Sequence, residues 1–186
     1  PELPNYGQPI TLEHLARHTS GLRSPNYAAL MGAWTPADER THRQMLDLVR
    51  RQPDLAFEPG TRFEYSNAGT TVLAEVIERV SGEDFPTFMK TRIYKPLEMH
   101  ATQYRTEAAS IIPNQVHSYY WEDGTFKKAM SPNGVYGYTN VLSTPSDLSK
   151  WINNFKTTTV GSEESVSELL SLTILPDGRK VQHRMG

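Results

Sequence analysis

Cysteine is absent from this sequence. That excludes disulfides, thiolate-ligated zinc and a cysteine nucleophile, and it chooses no compartment. A strong charge of either sign is missing too. The formal net charge of −2 provides no broad basic field for nucleic acid. It is also too small to mark a disordered acidic tail. No apolar run approaches the roughly 18 residues of a membrane-spanning helix. Pro1-Glu2-Leu3-Pro4 has neither the basic start nor the apolar core of a secretory leader. A mature secreted protein and a cytosolic one would both read this way. Internal repeats, low-complexity tracts and linkers are lacking, so the 186 residues read as one segment with a sizeable core.

What is there is a series of helix signals. Thr11 reads as an N-cap with Glu13 in the first turn, predicting a short helix over 12–18 that Gly21 ends. Residues 23–26 read as a loop, with Pro25 opposing a helix. Thr35-Pro36-Ala37-Asp38 predicts a helix start, with Met45, Leu46, Leu48 and Val49 on its apolar face and Pro53 beyond its end. From Asn67, Val72, Leu73, Val76, Ile77 and Val80 fall at helical period, and Ser81-Gly82 closes that helix. Another starts near Asp84 with Phe85, Phe88, Met89 and Ile93 on one face. Residues 101–144 are rich in Tyr, Gly, Asn and Pro. Asp123-Gly124 between aromatic runs predicts a hairpin. Thr144-Pro145-Ser146-Asp147 repeats the helix start, with Leu148, Trp151, Ile152 and Phe155 as its apolar face. A short helix over 166–172 and a hairpin turning at Pro176-Asp177-Gly178 follow. The expected fold is mainly α with small β-hairpins: about six helices and two hairpins, with residues 172–186 starting a β portion.

The stretch Phe57 to Gly69 draws these signals together. A Pro59-Gly60 turn leads through Phe63-Glu64-Tyr65-Ser66-Asn67 straight into the strongest helix. On local sequence alone, Tyr65 also reads as a core aromatic and Asn67 as a helix cap. Their surroundings resemble a known family. Ile10 to Leu22 resembles an "ITLxHLLxHTSGL" segment, and Pro59 to Asn67 a "PGxxxxYSN" segment. Thr91 to Met99 resembles a "PLGM" element, and Leu142 to Leu148 a "GLxSTxxDL" element. Four matches in order resemble the serine β-lactamase-like family, which groups class C β-lactamases, penicillin-binding proteins and esterase relatives.

That resemblance implies the helical portion of an α/β β-lactamase/DD-peptidase-like fold. It implies a serine hydrolase that cleaves an amide or ester through an acyl-serine intermediate, with no cofactor and no metal. Tyr65 would be base or relay and later proton donor, and Asn67 would hold the substrate's acyl side chain. Its substrate would be a β-lactam, a D-Ala peptide or an ester, and its compartment periplasmic or extracellular. The competing expectation is a non-catalytic relative that keeps the fold for binding or assembly.

Two family motifs are missing. No Ser-x-x-Lys occurs anywhere, so no nucleophile is assigned in this chain. Thr87-Phe88-Met89-Lys90 and Thr125-Phe126-Lys127-Lys128 imitate it in the wrong context. No Lys-Thr-Gly or His-x-Gly is present either, since His183-Arg184-Met185-Gly186 has one residue too many. The chain is therefore expected to be the middle of a longer enzyme, inactive alone. The helix over 72–80 would then face a missing partner and favour self-association.

Further residues carry weaker expectations. Arg23 and Asn26 are candidates to line the substrate cleft, against a solvated loop. His14 and His18, at i and i+4, suit zinc by spacing, but no Glu follows His14 and the metalloprotease pattern is absent. They are expected to be structural. Tyr119, Tyr120, Trp121, Tyr136 and Tyr138 are expected to cover helices rather than wall a site.

Overall fold

A computed structural model of the chain describes residues 3–35, 38–129 and 133–185. Among the described residues seven α-helices dominate: α1 (Leu12–Ala16), α2 (Pro25–Met31), α3 (His42–Arg50), α4 (Asn67–Ser81), α5 (Phe85–Met89), α6 (Pro145–Thr157) and α7 (Glu163–Leu170). One π-helical turn, Lys90–Tyr94, continues α5. The β content of the described residues is eight short strands in four two-stranded pairs. β1 (Arg40–Thr41) lies parallel to β5 (Asn133–Gly134). The antiparallel pairs are β2 (Gln103–Tyr104) with β6 (Val141–Leu142), β3 (Tyr119–Glu122) with β4 (Thr125–Lys128), and β7 (Thr173–Ile174) with β8 (Lys180–Val181).

The caps explain where the helices begin. Thr11 accepts the His14 N–H, and the His14 ring accepts the Thr11 N–H in return, a reciprocal cap that starts α1. Asp84 caps α5 and Thr144 caps α6. Asp123 and Gly124 both have positive φ, as the tight turn between β3 and β4 demands.

Several expectations are corrected. Pro25 does not forbid a helix; it occupies the first turn of α2, where its missing N–H costs nothing. α3 begins at His42, not at Thr35, because Thr41 and Gln44 form the reciprocal cap. Asp38 accepts the Thr35 N–H outside any helix, while Pro36 and Ala37 lie outside the described residues. α1 ends at Ala16, so His14 and His18 do not share a helix face; His18 lies past the end with φ +55°. α6 buries Asp147 and Asn154, while Leu148 and Ile152 are exposed.

Among the described residues three apolar clusters form the core. The first joins α1, α3 and α4 through Leu15, Leu22, Leu46, Val49, Ala68 and Val72, with Leu73 and Val76 packed against it. Each large side chain removed from water there contributes about 2 kcal/mol. The α4 stripe is thus covered over its first half by this chain's own helices, and Val80 stays 84% exposed. The second cluster is Ala29, Met45 and Val135, with Tyr138 against it. The third is Tyr94, Leu97 and Met99, with Trp151 against it. Tyr136 stacks on His42 and packs near Phe85. The aromatic covering is therefore real at Tyr136 and Tyr138. Tyr119, Tyr120 and Trp121 are exposed on the β3–β4 hairpin, where Trp121 packs edge-on against Phe126.

Candidate active site

The start of α4 is pinned by the segment that follows α1. Glu64 N–H donates to the His18 carbonyl at 3.0 Å, Gly60 N–H to Thr19 at 2.8 Å, and Ala56 N–H to Gly21 at 2.8 Å. Gly21 has φ +75°, and a Cβ there would strike the Phe57 carbonyl. Only glycine permits that approach. The chain therefore arrives at α4 along a fixed edge.

Ser66 caps α4. Its backbone is extended and its hydroxyl accepts the Ala68 N–H at 3.2 Å. The serine is buried, so the residues on either side turn outward: Tyr65 is 57% exposed and Asn67 half-buried. Asn67 is the first helical residue, not the cap, and its carbonyl accepts the Thr70 and Thr71 hydroxyls at 3.1 and 2.8 Å. The structure thus brings Tyr65 and Asn67 together on one helix mouth. A phenol that can relay a proton and an amide that can donate a hydrogen bond stand two residues apart there.

Tyr65 does not stand alone. Its ring lies 4.5 Å from the His18 ring, centroid to centroid, and 6.1 Å from His183. His183 is 5.2 Å from His18 and 5.1 Å from Phe63, so four rings cluster at this mouth. His18 is 3% exposed. Its Nδ1 lies 3.1 Å from the Ser66 carbonyl and 3.4 Å from the Ser66 N–H. Its Nε2 is buried without a partner among the described residues. Burial holds the His18 pKa below the ordinary histidine value; nearby His183 adds to this and the Ser66 carbonyl opposes it.

The sequence assigns neither histidine to this mouth: it marks His18 as a structural histidine rather than a zinc ligand, and His183 only as part of a misspaced third motif. The signal for His18 was its place inside the "HTSGL" segment. Nothing in the sequence signals that His183 meets Tyr65.

Arg23 and Asn26 are held elsewhere. The Arg23 guanidinium binds the Asp54 carboxylate and carbonyl at 2.6 and 2.7 Å. Its backbone N–H and carbonyl bind the Gln52 side chain at 2.9 and 2.7 Å. Asn26, in the first turn of α2, accepts the Tyr138 hydroxyl at 3.2 Å. Neither is hydrogen-bonded to Tyr65 or Asn67. Among the described residues no three acidic or histidine side chains converge to hold a metal ion. No helix among them is long and apolar enough to cross a membrane. A cavity of about 600 Å³ lies apart from the α4 mouth, lined by Arg105, Ile111, Val116, His117, Lys128 and Leu142 among others.

Comparison with known proteins places the chain in a family. The Beta-lactamase family profile matches residues 1–182. Penicillin-binding protein 4* of Bacillus subtilis is 32% identical over 114 residues, covering 60% of this chain and 24% of that protein. The D-alanyl-D-alanine-carboxypeptidase/endopeptidase AmpH of Escherichia coli is 27% identical over 156 residues, covering 82% of this chain and 38% of that protein. The octameric penicillin-binding protein homologue from Pyrococcus abyssi superposes with a TM-score of 0.78 at 26% identity, over 94% of this chain and 42% of that one. This chain therefore spans well under half the length of these relatives. With a family match over nearly its whole length and the same fold as penicillin-binding protein homologues, the chain belongs to the Beta-lactamase family.

Proposed function

We propose that this chain supplies the Tyr-x-Asn element of a serine hydrolase that cleaves an amide next to a D-amino acid through an acyl-serine intermediate. The observation that carries the reading is the α4 mouth, where the buried Ser66 cap turns Tyr65 and Asn67 outward together. Similarity to a D-alanyl-D-alanine carboxypeptidase/endopeptidase supports the substrate class. Since the sequence contains no Ser-x-x-Lys, the nucleophile and its lysine would come from a segment outside these residues, and these residues alone would be inactive.

The chemistry follows from the groups. A serine hydroxyl is a weak nucleophile at neutral pH and needs a base beside it. The Tyr65 phenol would take or relay that proton, then return it to the leaving amine. Its exposure leaves the hydroxyl free to face a substrate. The Asn67 amide would donate to the carbonyl of the acyl side chain, and the Thr70 and Thr71 hydroxyls on its backbone carbonyl hold its position.

Intact mass of the full-length protein before and after a fluorophosphonate or penicillin tests this reading. A single covalent adduct, released again by slow hydrolysis, is expected. An unmodified full-length protein that also leaves D-alanyl amides intact would overturn the reading in favour of a non-catalytic family member.

A further inference from the structure

The strongest unexplained feature beside the α4 mouth is His18. It has φ +55°, a conformation that histidine and asparagine tolerate better than most residues. Its backbone carbonyl accepts the Glu64 N–H, its ring faces Tyr65, and its Nδ1 meets the Ser66 peptide. One residue thus touches three consecutive positions of the turn that carries Tyr65.

We propose that His18 is a positioning residue for Tyr65, fixing the phenol ring and the Ser66 peptide in one arrangement through a neutral imidazole. This rests on the reading of Tyr65 as the proton relay. The two contacts of Nδ1 with Ser66 cannot both be hydrogen bonds at once. If Nδ1 carries the proton it donates to the Ser66 carbonyl at 3.1 Å; if not, it accepts the Ser66 N–H at 3.4 Å. The shorter distance favours the first, which leaves Nε2 as a bare lone pair. A protonated ring would bury a positive charge at Nε2, which has no partner there. Only the neutral ring fits the site as it stands, and Tyr65 is packed against that neutral face. His183 completes the enclosure. Its ring meets His18 edge-on, 5.2 Å away at 82°, and its proximity disfavours a charge on the His18 ring.

Two variants separate this role from plain folding. His18→Asn keeps a polar atom where Nδ1 stands and tolerates a positive φ. His18→Phe keeps the ring and removes the bond to Ser66. The full-length protein would be labelled with ring-¹³C tyrosine, the Tyr65 signal being assigned with Tyr65→Phe, and turnover of a chromogenic D-alanyl amide followed in parallel. In His18→Phe we expect a shifted, broadened Tyr65 signal and a kcat lowered at least 10-fold, with KM within 3-fold. In His18→Asn we expect recovery to within about 3-fold of wild type. The low-pH limb of kcat in the wild type should be lost in His18→Asn. The inference is overturned if the Tyr65 signal of folded His18→Phe matches wild type, or if His18→Asn is no better than His18→Phe. The fate of Tyr65→Phe is separate. If that variant keeps full turnover, the relay reading fails, while the Tyr65 signal still decides whether His18 positions the ring.

Discussion

Asp147 holds Thr102 by accepting its hydroxyl at 2.9 Å, and the same carboxylate oxygen accepts the Ala101 N–H at 2.8 Å. The carboxylate is buried in the first turn of α6, with Lys150 as its charged neighbour at 3.4 Å. This one residue fastens α6 to the loop that follows the π-helical turn. Bonds to a charged group are worth about 1.5–3 kcal/mol each. Asp147→Ala should therefore destabilise the protein by about 3 kcal/mol, a loss of roughly 6–12 °C in Tm for a chain of this size. Calorimetry of the variant checks this.

The same carboxylate makes an acid prediction. Burial pushes the Asp147 carboxyl up, but the bonds from Thr102, Ala101 and Lys150 outweigh it and hold the pKa below its ordinary value. The unfolded chain then takes up the proton first, at about pH 3.9. Stability from this group is present above that pH and lost as pH falls toward the lower folded value. Denaturant midpoints measured between pH 5 and 3 should fall in the wild type. In Asp147→Asn the curve should start lower and fall less.

A second pH window comes from the buried histidines. His42 stacks on Tyr136 with ring centroids 3.8 Å apart and planes 6° from parallel, and its Nδ1 donates to the Tyr136 carbonyl at 3.1 Å. Burial lowers its pKa, opposed by Glu78, the Tyr136 carbonyl and Glu75. His18 is lowered in the same direction. Both bind a proton more readily unfolded than folded. Their contribution is present above about pH 6.5 and is lost as pH falls through that value toward the lowered ones. His42→Phe keeps an aromatic ring and removes one titrating group. The slope of stability against pH below 6.5 should fall by up to about 1.4 kcal/mol per pH unit.

How much of this was legible beforehand follows from the kind of interaction. Caps that use neighbouring residues are written locally, so Thr11, Asp84 and Thr144 were readable, as was the Asp123-Gly124 turn. α3 was misplaced because Thr35-Pro36 and Thr41-Gln44 compete as start signals, and local propensity does not choose between them. The expected apolar face of α6 is only partly covered, since a period of apolar residues says where a face lies, not whether anything covers it: Trp151 packs on the core, Leu148 and Ile152 stay exposed, and Asp147 and Asn154 are buried. At the candidate site, Tyr65 and Asn67 stand out through a contiguous motif. His18 and His183 lie 47 residues before and 118 after Tyr65 in the chain, and only tertiary packing brings their rings to it.

Gly69 tests how closely α4 must sit on α1. A Cβ at this position would fall against the Leu15 carbonyl, a rigid backbone group, inside van der Waals contact. Gly69→Ala should cost about 1–3 kcal/mol as the helices separate. Because Asn67 lies two residues away, the variant should also slow acylation by the penicillin probe. Gly82→Ala is the control. A Cβ there meets nothing within 4 Å, and its φ of +72° makes the cost pure backbone strain of about 1–2 kcal/mol. That variant should lose stability at the far end of α4 and keep its acylation rate. Equal effects on acylation from both glycines would mean that α4 transmits global stability and not local position.

Tyr65→Phe and Asn67→Ala should separate chemistry from binding. The Tyr65 ring packs on His18, but its hydroxyl makes no hydrogen bond among the described residues, so its removal should leave Tm within about 1 °C. A general acid–base group contributes about 10²–10⁴-fold. Tyr65→Phe should lower the acylation rate constant by that range while a reversible encounter with the penicillin is unchanged. Asn67→Ala keeps the backbone carbonyl that holds Thr70 and Thr71. It should weaken the encounter more than the chemical step. The split is the informative outcome. A phenol used only for packing would give a small loss of both constants together, because Phe retains the contact with His18. A loss confined to the chemical step needs the hydroxyl itself, on an exposed residue just before the Ser66 cap of α4.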